Sequence, residues 1–164
     1  MTEDIVKKDY NVVVKNIFKL SIHALQLYSY LFYFVLLLLG ILLDFIFHIG
    51  IPIQSVLLPT SISFLIVASV LILWAQRSTR NLDKENLTKE TFSSGPYFFT
   101  KNPTHLGLFL LVLGFGILSN AFFVVVFTII SYLVTKFVFL KKEEKILEAK
   151  YGDPYLEYKK SVKF

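Results

Sequence analysis

Four stretches of nearly unbroken apolar residues alternate with polar segments, and their lengths predict a bundle of membrane helices. Residues 28–47, YSYLFYFVLLLLGILLDFIF, are long enough to cross the hydrocarbon of a bilayer. Tyr28, Tyr30 and Tyr33 are expected at one interface as an aromatic belt. Residues 55–75, SVLLPTSISFLIVASVLILWA, predict a second span. Pro59 lies near its start, where a missing N–H is tolerated, and Trp74 ends it at the opposite interface. Residues 105–118, HLGLFLLVLGFGIL, are short for a crossing. Ser119 and Asn120 turn the chain, and residues 121–140, AFFVVVFTIISYLVTKFVFL, return, so this pair predicts a helical hairpin.

The ends carry a different pattern. Asn11, Lys15, Lys19, His23 and Gln26 recur at helical spacing, while Val12, Val13, Ile17, Leu20 and Leu27 fall largely elsewhere. That predicts an interfacial amphipathic helix over 1–27. The tail KKEEKILEAKYGDPYLEYKKSVKF predicts a charged helix broken at Gly152 and Pro154, then a short Tyr-rich segment. The expected fold is all-α and integral to the membrane: about four transmembrane helices, an N-terminal interfacial helix and a cytoplasmic C-terminal cap. It forms one membrane domain over 1–164, with the first two spans in 28–75 and a chemistry-bearing region in 76–164.

Charge orients this bundle. The 17 Lys and Arg lie in the N-terminal segment, in the connection after the second span, and in the fourth span and tail. The short turns at 48–54 and 119–120 have none. The positive-inside rule then predicts that both termini and the middle connection are cytoplasmic. The composition, 55% hydrophobic and 16% aromatic over 164 residues, makes lipid the expected solvent. A net charge of +5 in such a chain points to orientation and anionic lipid, not to nucleic acid. The absence of cysteine removes disulfides, thiolate nucleophiles and thiolate metal sites. No signal peptide is visible in MTEDIVKKDY.

Most polar chemistry therefore falls on one side, in 76–105 and 141–164. On the other, Asp44 and His48 are four apart and could share a helix face. They are read as an interfacial pair facing water, since two ligands make a weak metal site, and no metal is expected. The stretch GPYFFTKNPTHLG, 95–107, is unusual for a plain spacer. Gly95–Pro96 and Asn102–Pro103 are turn signals, Pro103 suits a first helical turn, and Asn102 suits its N-cap. A helix N-terminus favours anionic groups, Lys101 adds positive charge, and Tyr97, Phe98 and Phe99 offer faces for a planar ring. His105 would point inward or into the headgroups. The hairpin should bring Glu143–Glu144 beside this loop. The plainer alternative pairs both with Lys141, Lys142 and Lys145 on a solvated helix.

These residues resemble the isoprenylcysteine carboxyl methyltransferase and phospholipid methyltransferase superfamily of small membrane enzymes. That pattern has a Ser-Gly-Pro-Tyr turn, a basic residue, His or Asn, Pro, a variable residue, usually Tyr, another, and Gly. An apolar hairpin follows, then Glu-Glu, a Leu three residues later, an aromatic-Gly, and Tyr-x-x-Tyr with basic residues and Val. This chain reads SGPYFFTKNPTHLG, EEKIL and KYGDPYLEYKKSV, a match over roughly 92–162. The resemblance implies methyl transfer from S-adenosylmethionine to a lipid or lipophilic small molecule. It implies that Gly95, Pro96, Tyr97, Lys101, Asn102, Pro103, Thr104, His105 and Gly107 shape the cofactor pocket, with Glu143 its acidic ligand. The protein would mostly supply proximity and alignment, and His105 or Glu144 would assist an amine acceptor in losing its proton.

The departures narrow the acceptor. Asn102 stands where the prenylcysteine enzymes have His, and His105 where Tyr is usual. Phe139 stands where eukaryotic members present an Arg thought to meet the substrate carboxylate, which argues against a prenylcysteine acceptor. Membrane sterol reductases, which use NADPH, share the hairpin plan, but their tails carry Arg and Asp near the pair and then Cys, unlike this tail. A noncatalytic scaffold is the third reading, in which Gly107, Gly114 and Gly116 serve helix packing alone.

Overall fold

The computed structural model of the protein describes residues 2–52, 54–80 and 92–162; the side chains of 2–21, 54 and 80 lie outside that description. Helix α1 spans Thr2–Phe47 and α2 spans Gln54–Arg80. A short 3-10 turn at Gly95–Phe98 leads to α3, Pro103–Leu118. After the turn at 119–121, α4 runs Phe122–Val134, passes through a π-helical segment, Thr135–Phe139, and continues as α5, Leu140–Tyr151. Helix α6, Asp153–Ser161, closes the chain. No strand occurs among the described residues.

Three helices are long and apolar enough to cross a membrane: Ile22–Phe47, Ser55–Thr79 and Phe122–Tyr151. Helix α3 is apolar but shorter. Their outward faces carry Leu38, Phe45, Val56, Ile66 and Leu73, all at least half exposed, as expected of side chains that lipid solvates. This is an integral membrane protein. The helix through Phe122–Tyr151 has 30 residues, about 45 Å at the usual rise, against about 30 Å of hydrocarbon. It is therefore longer than a single crossing needs.

Helix α1 continues unbroken through residue 27, so the segment expected at the interface shares an axis with the first span. The pattern that suggested it lies mostly on side chains outside the description. The connection 81–91, with Lys84 and Lys89, also lies outside it.

The α3–α4 hairpin occupies the middle of the bundle. Helix α2 packs on α3, and α1 packs on α4, more than on each other. Small residues make the first contact possible. Ser61, Ala68 and Ala75, seven apart on α2, are fully buried. Opposite them are Gly107 and Gly114, also seven apart. A Cβ on Gly107 would lie 2.6 Å from Ile72 Cγ1, and one on Gly114 would lie 2.9 Å from the Ser61 carbonyl oxygen. Helices in lipid associate by this kind of close packing, because lipid provides no hydrophobic drive between them. On the other side, Gly40 lets α1 reach the Val124 backbone, 3.0 Å from an ideal Cβ.

The turn end, where 48–52 meets 119–121, corrects one expectation. Asp44 does not simply face water. Its carboxylate accepts the backbone N–H groups of Phe123 (2.9 Å) and Val124 (3.0 Å). Those are the orphan donors at the start of α4, which no carbonyl of the helix itself can satisfy. Asn120, at φ +56°, accepts the Ile51 N–H through Oδ1 at 2.7 Å. Tyr33 is a second correction: it is 4% exposed and faces the bundle, while Tyr28 remains outside.

Candidate functional site

At the opposite, loop end, residues 95–105 are held against α2 and α6. Gly95 takes φ +63°, and a Cβ there would fall 2.0 Å from Ser78 Oγ. Only glycine both adopts that backbone and lets the loop sit on the end of α2. Pro96 and Pro103 are fully buried and anchor the two ends of the loop. Asn102 occupies the N-cap position of α3, but its side chain makes no capping hydrogen bond; its carbonyl accepts the Leu106 N–H at 3.1 Å. Thr104 lies partly exposed in the first turn.

The tail locks onto the loop through aromatic rings. Tyr155, Tyr158 and Val162 form a buried cluster with Phe92, Tyr97, Leu147 and Tyr151 around it. The Tyr158 hydroxyl donates to the Tyr97 carbonyl at 2.9 Å. Burial pushes both the Tyr155 and Tyr158 phenols up, so they remain neutral hydroxyls at physiological pH. Tyr97 thus has one side committed to the tail. Phe98 and Phe99 pack edge-on against each other and point away from it.

The hairpin brings the acidic pair to this loop. Lys101 Nζ lies 3.5 Å from Glu144 Oε1. Lys159 of α6 contacts Glu144 Oε2 at 2.8 Å and also bonds Glu148. Hydrogen bonds to these two carboxylates hold the Lys159 ammonium above its ordinary pKa. The local pairing of Glu144 with Lys141, Lys142 and Lys145 is not what forms; its cations come from the loop and the tail. Glu143 differs. The Gln26 amide of α1 donates to its Oε1 at 2.8 Å, and no Lys or Arg ion-pairs with it among the described residues. It is a partly buried carboxylate facing a neutral partner.

His105 points inward. It is 5% exposed, stacks on Tyr30 with ring centroids 5.2 Å apart, and its Nδ1 has no hydrogen-bond partner. Glu143 and Tyr97 neighbour Tyr30 as well. Lys101, His105, Glu143 and Glu144, all expected from the sequence, are therefore assembled at one end of the bundle with Tyr97. Gly107 sits one turn deeper in the α2–α3 contact, and its missing side chain serves that contact. Gln26 and Tyr30 were not anticipated at the site. Gln26 stood among the polar positions of the N-terminal pattern, and Tyr30 had the look of an interfacial aromatic. Among the described residues no group of three His, Asp or Glu is arranged to hold a metal.

The chemistry this arrangement permits is recognition of a mixed-charge ligand: a carboxylate without an ion-pair partner for a cation or a diol, a lysine and helix-start N–H groups for an anion, and rings for a planar group. The sequence model of the phospholipid methyltransferase family matches residues 57–154, more than half of the chain. No curated protein and no solved structure matches it.

Proposed function

The chain belongs to the phospholipid methyltransferase family, and we propose that it transfers a methyl group from S-adenosylmethionine to a lipid or lipophilic small molecule at the loop end. The observation that carries this reading is Glu143. A partly buried carboxylate with only a neutral amide partner, next in the chain to the Glu144 that Lys101 pairs with, suits a cationic cofactor. The donor set fits S-adenosylmethionine: Glu143 for its ammonium or ribose diol, Lys101 and the N–H groups at the start of α3 for its carboxylate, Tyr97 for its adenine. Gly95, Pro96 and Pro103 hold the loop in shape, and Asn102 and Thr104 line its edge.

When bound, the cofactor supplies a methyl group already activated by its sulfonium. The protein's own work is to orient and to exclude water. His105, with an unpartnered ring nitrogen facing inward, is placed to accept a proton from an amine or hydroxyl acceptor. Glu144 is held by Lys101 and Lys159, so its part is to fix the loop to the tail. Phe139 packs on Phe32, ring centroids 6.1 Å apart, and offers no cation to a carboxylate acceptor. By the distribution of Lys and Arg, the site faces the cytoplasm with both termini.

The test is transfer of a tritiated methyl group from S-adenosylmethionine into the organic extract of protein-bearing lipid nanodiscs. Label should enter the lipid phase with the wild type and vanish with Glu143→Ala and Tyr97→Ala. Failure of the wild type to label any lipid, across a panel of natural membrane extracts, would overturn the reading.

A further inference from the structure

The outward face of the α4–α5 helix changes character along its length. From α4 into the π-helical segment it is apolar: Ile130, Leu133, Phe137 and Val138 are 41%, 46%, 56% and 42% exposed. Lysines begin within that apolar stretch. Lys136 is exposed beside Phe137, and Lys141 and Lys145 are exposed in the first turns of α5. Lys141 Nζ lies over the Phe137 ring, 5.3 Å from its centroid. Lys141 and Lys145, four apart, share one face of α5. Lys136 and Lys141 are five apart, which in a regular α-helix would set them about 140° from each other. The π-helical segment between them, where the Leu140 N–H reaches back to the Thr135 carbonyl, reduces that angle.

Among the described residues, no Asp or Glu ion-pairs with Lys136, Lys141 or Lys145. Their acidic neighbours along α5 are committed elsewhere. Glu143 lies two positions from both Lys141 and Lys145, about 200° round the helix, and meets Gln26 of α1. Glu144 holds Lys101 and Lys159, and Glu148 holds Lys159. The outward face is therefore cationic at one level and apolar at the next. A lysine among side chains that lipid solvates lays its stem along them and carries its charge to the headgroups. The counter-charge at that level then comes from lipid.

We propose that Lys136, Lys141 and Lys145 bind the headgroup of an anionic phospholipid, whose acyl chains run along Leu133, Phe137 and Val138. Charge selects the occupant. A phosphodiester headgroup with net negative charge suits these three ammonium groups; the choline of a zwitterionic lipid brings a cation back to them. The site faces lipid, on the side of the helix away from Glu143 and α1. It is separate from the loop-end site and does not rest on the methyl-transfer reading.

The experiment reads lipid selectivity at one place on the surface of the full-length protein. Trp74, the chain's one tryptophan, is replaced by Phe. A reporter is then introduced as Phe137→Trp or, at the turn end, as Phe45→Trp, a position 75% exposed whose adjoining turns have no Lys or Arg. Tryptophan keeps an aromatic face for Lys141. Each protein is reconstituted in phosphatidylcholine mixed with brominated phosphatidylglycerol or brominated phosphatidylcholine, and quenching gives the relative binding constant beside the reporter. At the Phe137→Trp reporter, phosphatidylglycerol should be preferred roughly fivefold or more, the effect of at least one lysine near a membrane surface. At the Phe45→Trp reporter the two lipids should bind equally. Lys136→Gln, Lys141→Gln and Lys145→Gln together should abolish the preference, and the three Arg substitutions should keep it. Salt at about 1 M, where screening acts within about 3 Å, makes the same test without those substitutions and should lower the preference. Equal binding of the two lipids at the Phe137→Trp reporter would overturn the proposal. So would the same preference at both reporters, or a preference that survives the Gln substitutions or high salt.

Discussion

The two ends of the bundle use similar residues to different ends. At the turn end, Asp44 gives both carboxylate oxygens to backbone N–H groups of α4, and Asn120 gives its side-chain oxygen to Ile51. Those bonds close a turn within the fold. At the loop end, Glu143 meets only a neutral amide and His105 leaves a nitrogen without a partner. A partly buried acidic residue in a membrane protein is therefore not by itself a sign of chemistry. What separates the two is whether the fold itself uses up the group's hydrogen-bonding capacity.

Substitutions at the two ends should then separate binding from stability. Glu143→Ala should weaken S-adenosylmethionine binding roughly a hundredfold, from loss of a charged hydrogen-bond partner, with an unchanged helical circular dichroism spectrum. Gly114→Leu, in the α2–α3 contact, should destabilise by about 1–3 kcal/mol, because the new side chain meets the Ser61 backbone, which cannot move aside. Thermal melting in detergent reads that loss. Asp44→Ala should cost about 1–2 kcal/mol, the range for a lost helix cap, while cofactor affinity of the folded protein stays at the wild-type value. A drop in affinity there would erase the distinction between the ends.

The smallest effect belongs to Lys159→Ala, under about 1 kcal/mol, because the ion pair is partly exposed. Its pH dependence has a definite sign. Glu144 and Glu148 raise the Lys159 pKa above its ordinary 10.5, so the pair's contribution is full below that value and is lost only as pH rises through the folded one. Melting curves of wild type and variant should keep a constant separation from pH 7 to pH 9.5.

Much of this was legible in the sequence because membrane helices announce themselves by length and apolarity. The hairpin, the break at Gly152 and the meeting of Lys101 with Glu144 all followed from spans and turn residues. Gln26, Tyr30 and Tyr33 did not. Their place depends on which face of α1 meets α4 and α3, and a helix that is apolar nearly all round carries little mark of its inward face. Asp44 was misread for a related reason: its partners are backbone N–H groups, which leave no trace in side-chain spacing. Asn102 was read correctly as an N-cap position, but the local backbone turns its side chain away from the capping bond.

The central claim is that the loop end binds S-adenosylmethionine through Glu143. Calorimetric titration of the detergent-purified protein with S-adenosylmethionine, beside Glu143→Ala, Asp44→Ala and an NADPH control, tests it most directly. The account predicts binding by the wild type and Asp44→Ala, its loss in Glu143→Ala, and none of NADPH. Equal binding by wild type and Glu143→Ala, or binding of NADPH alone, would contradict it.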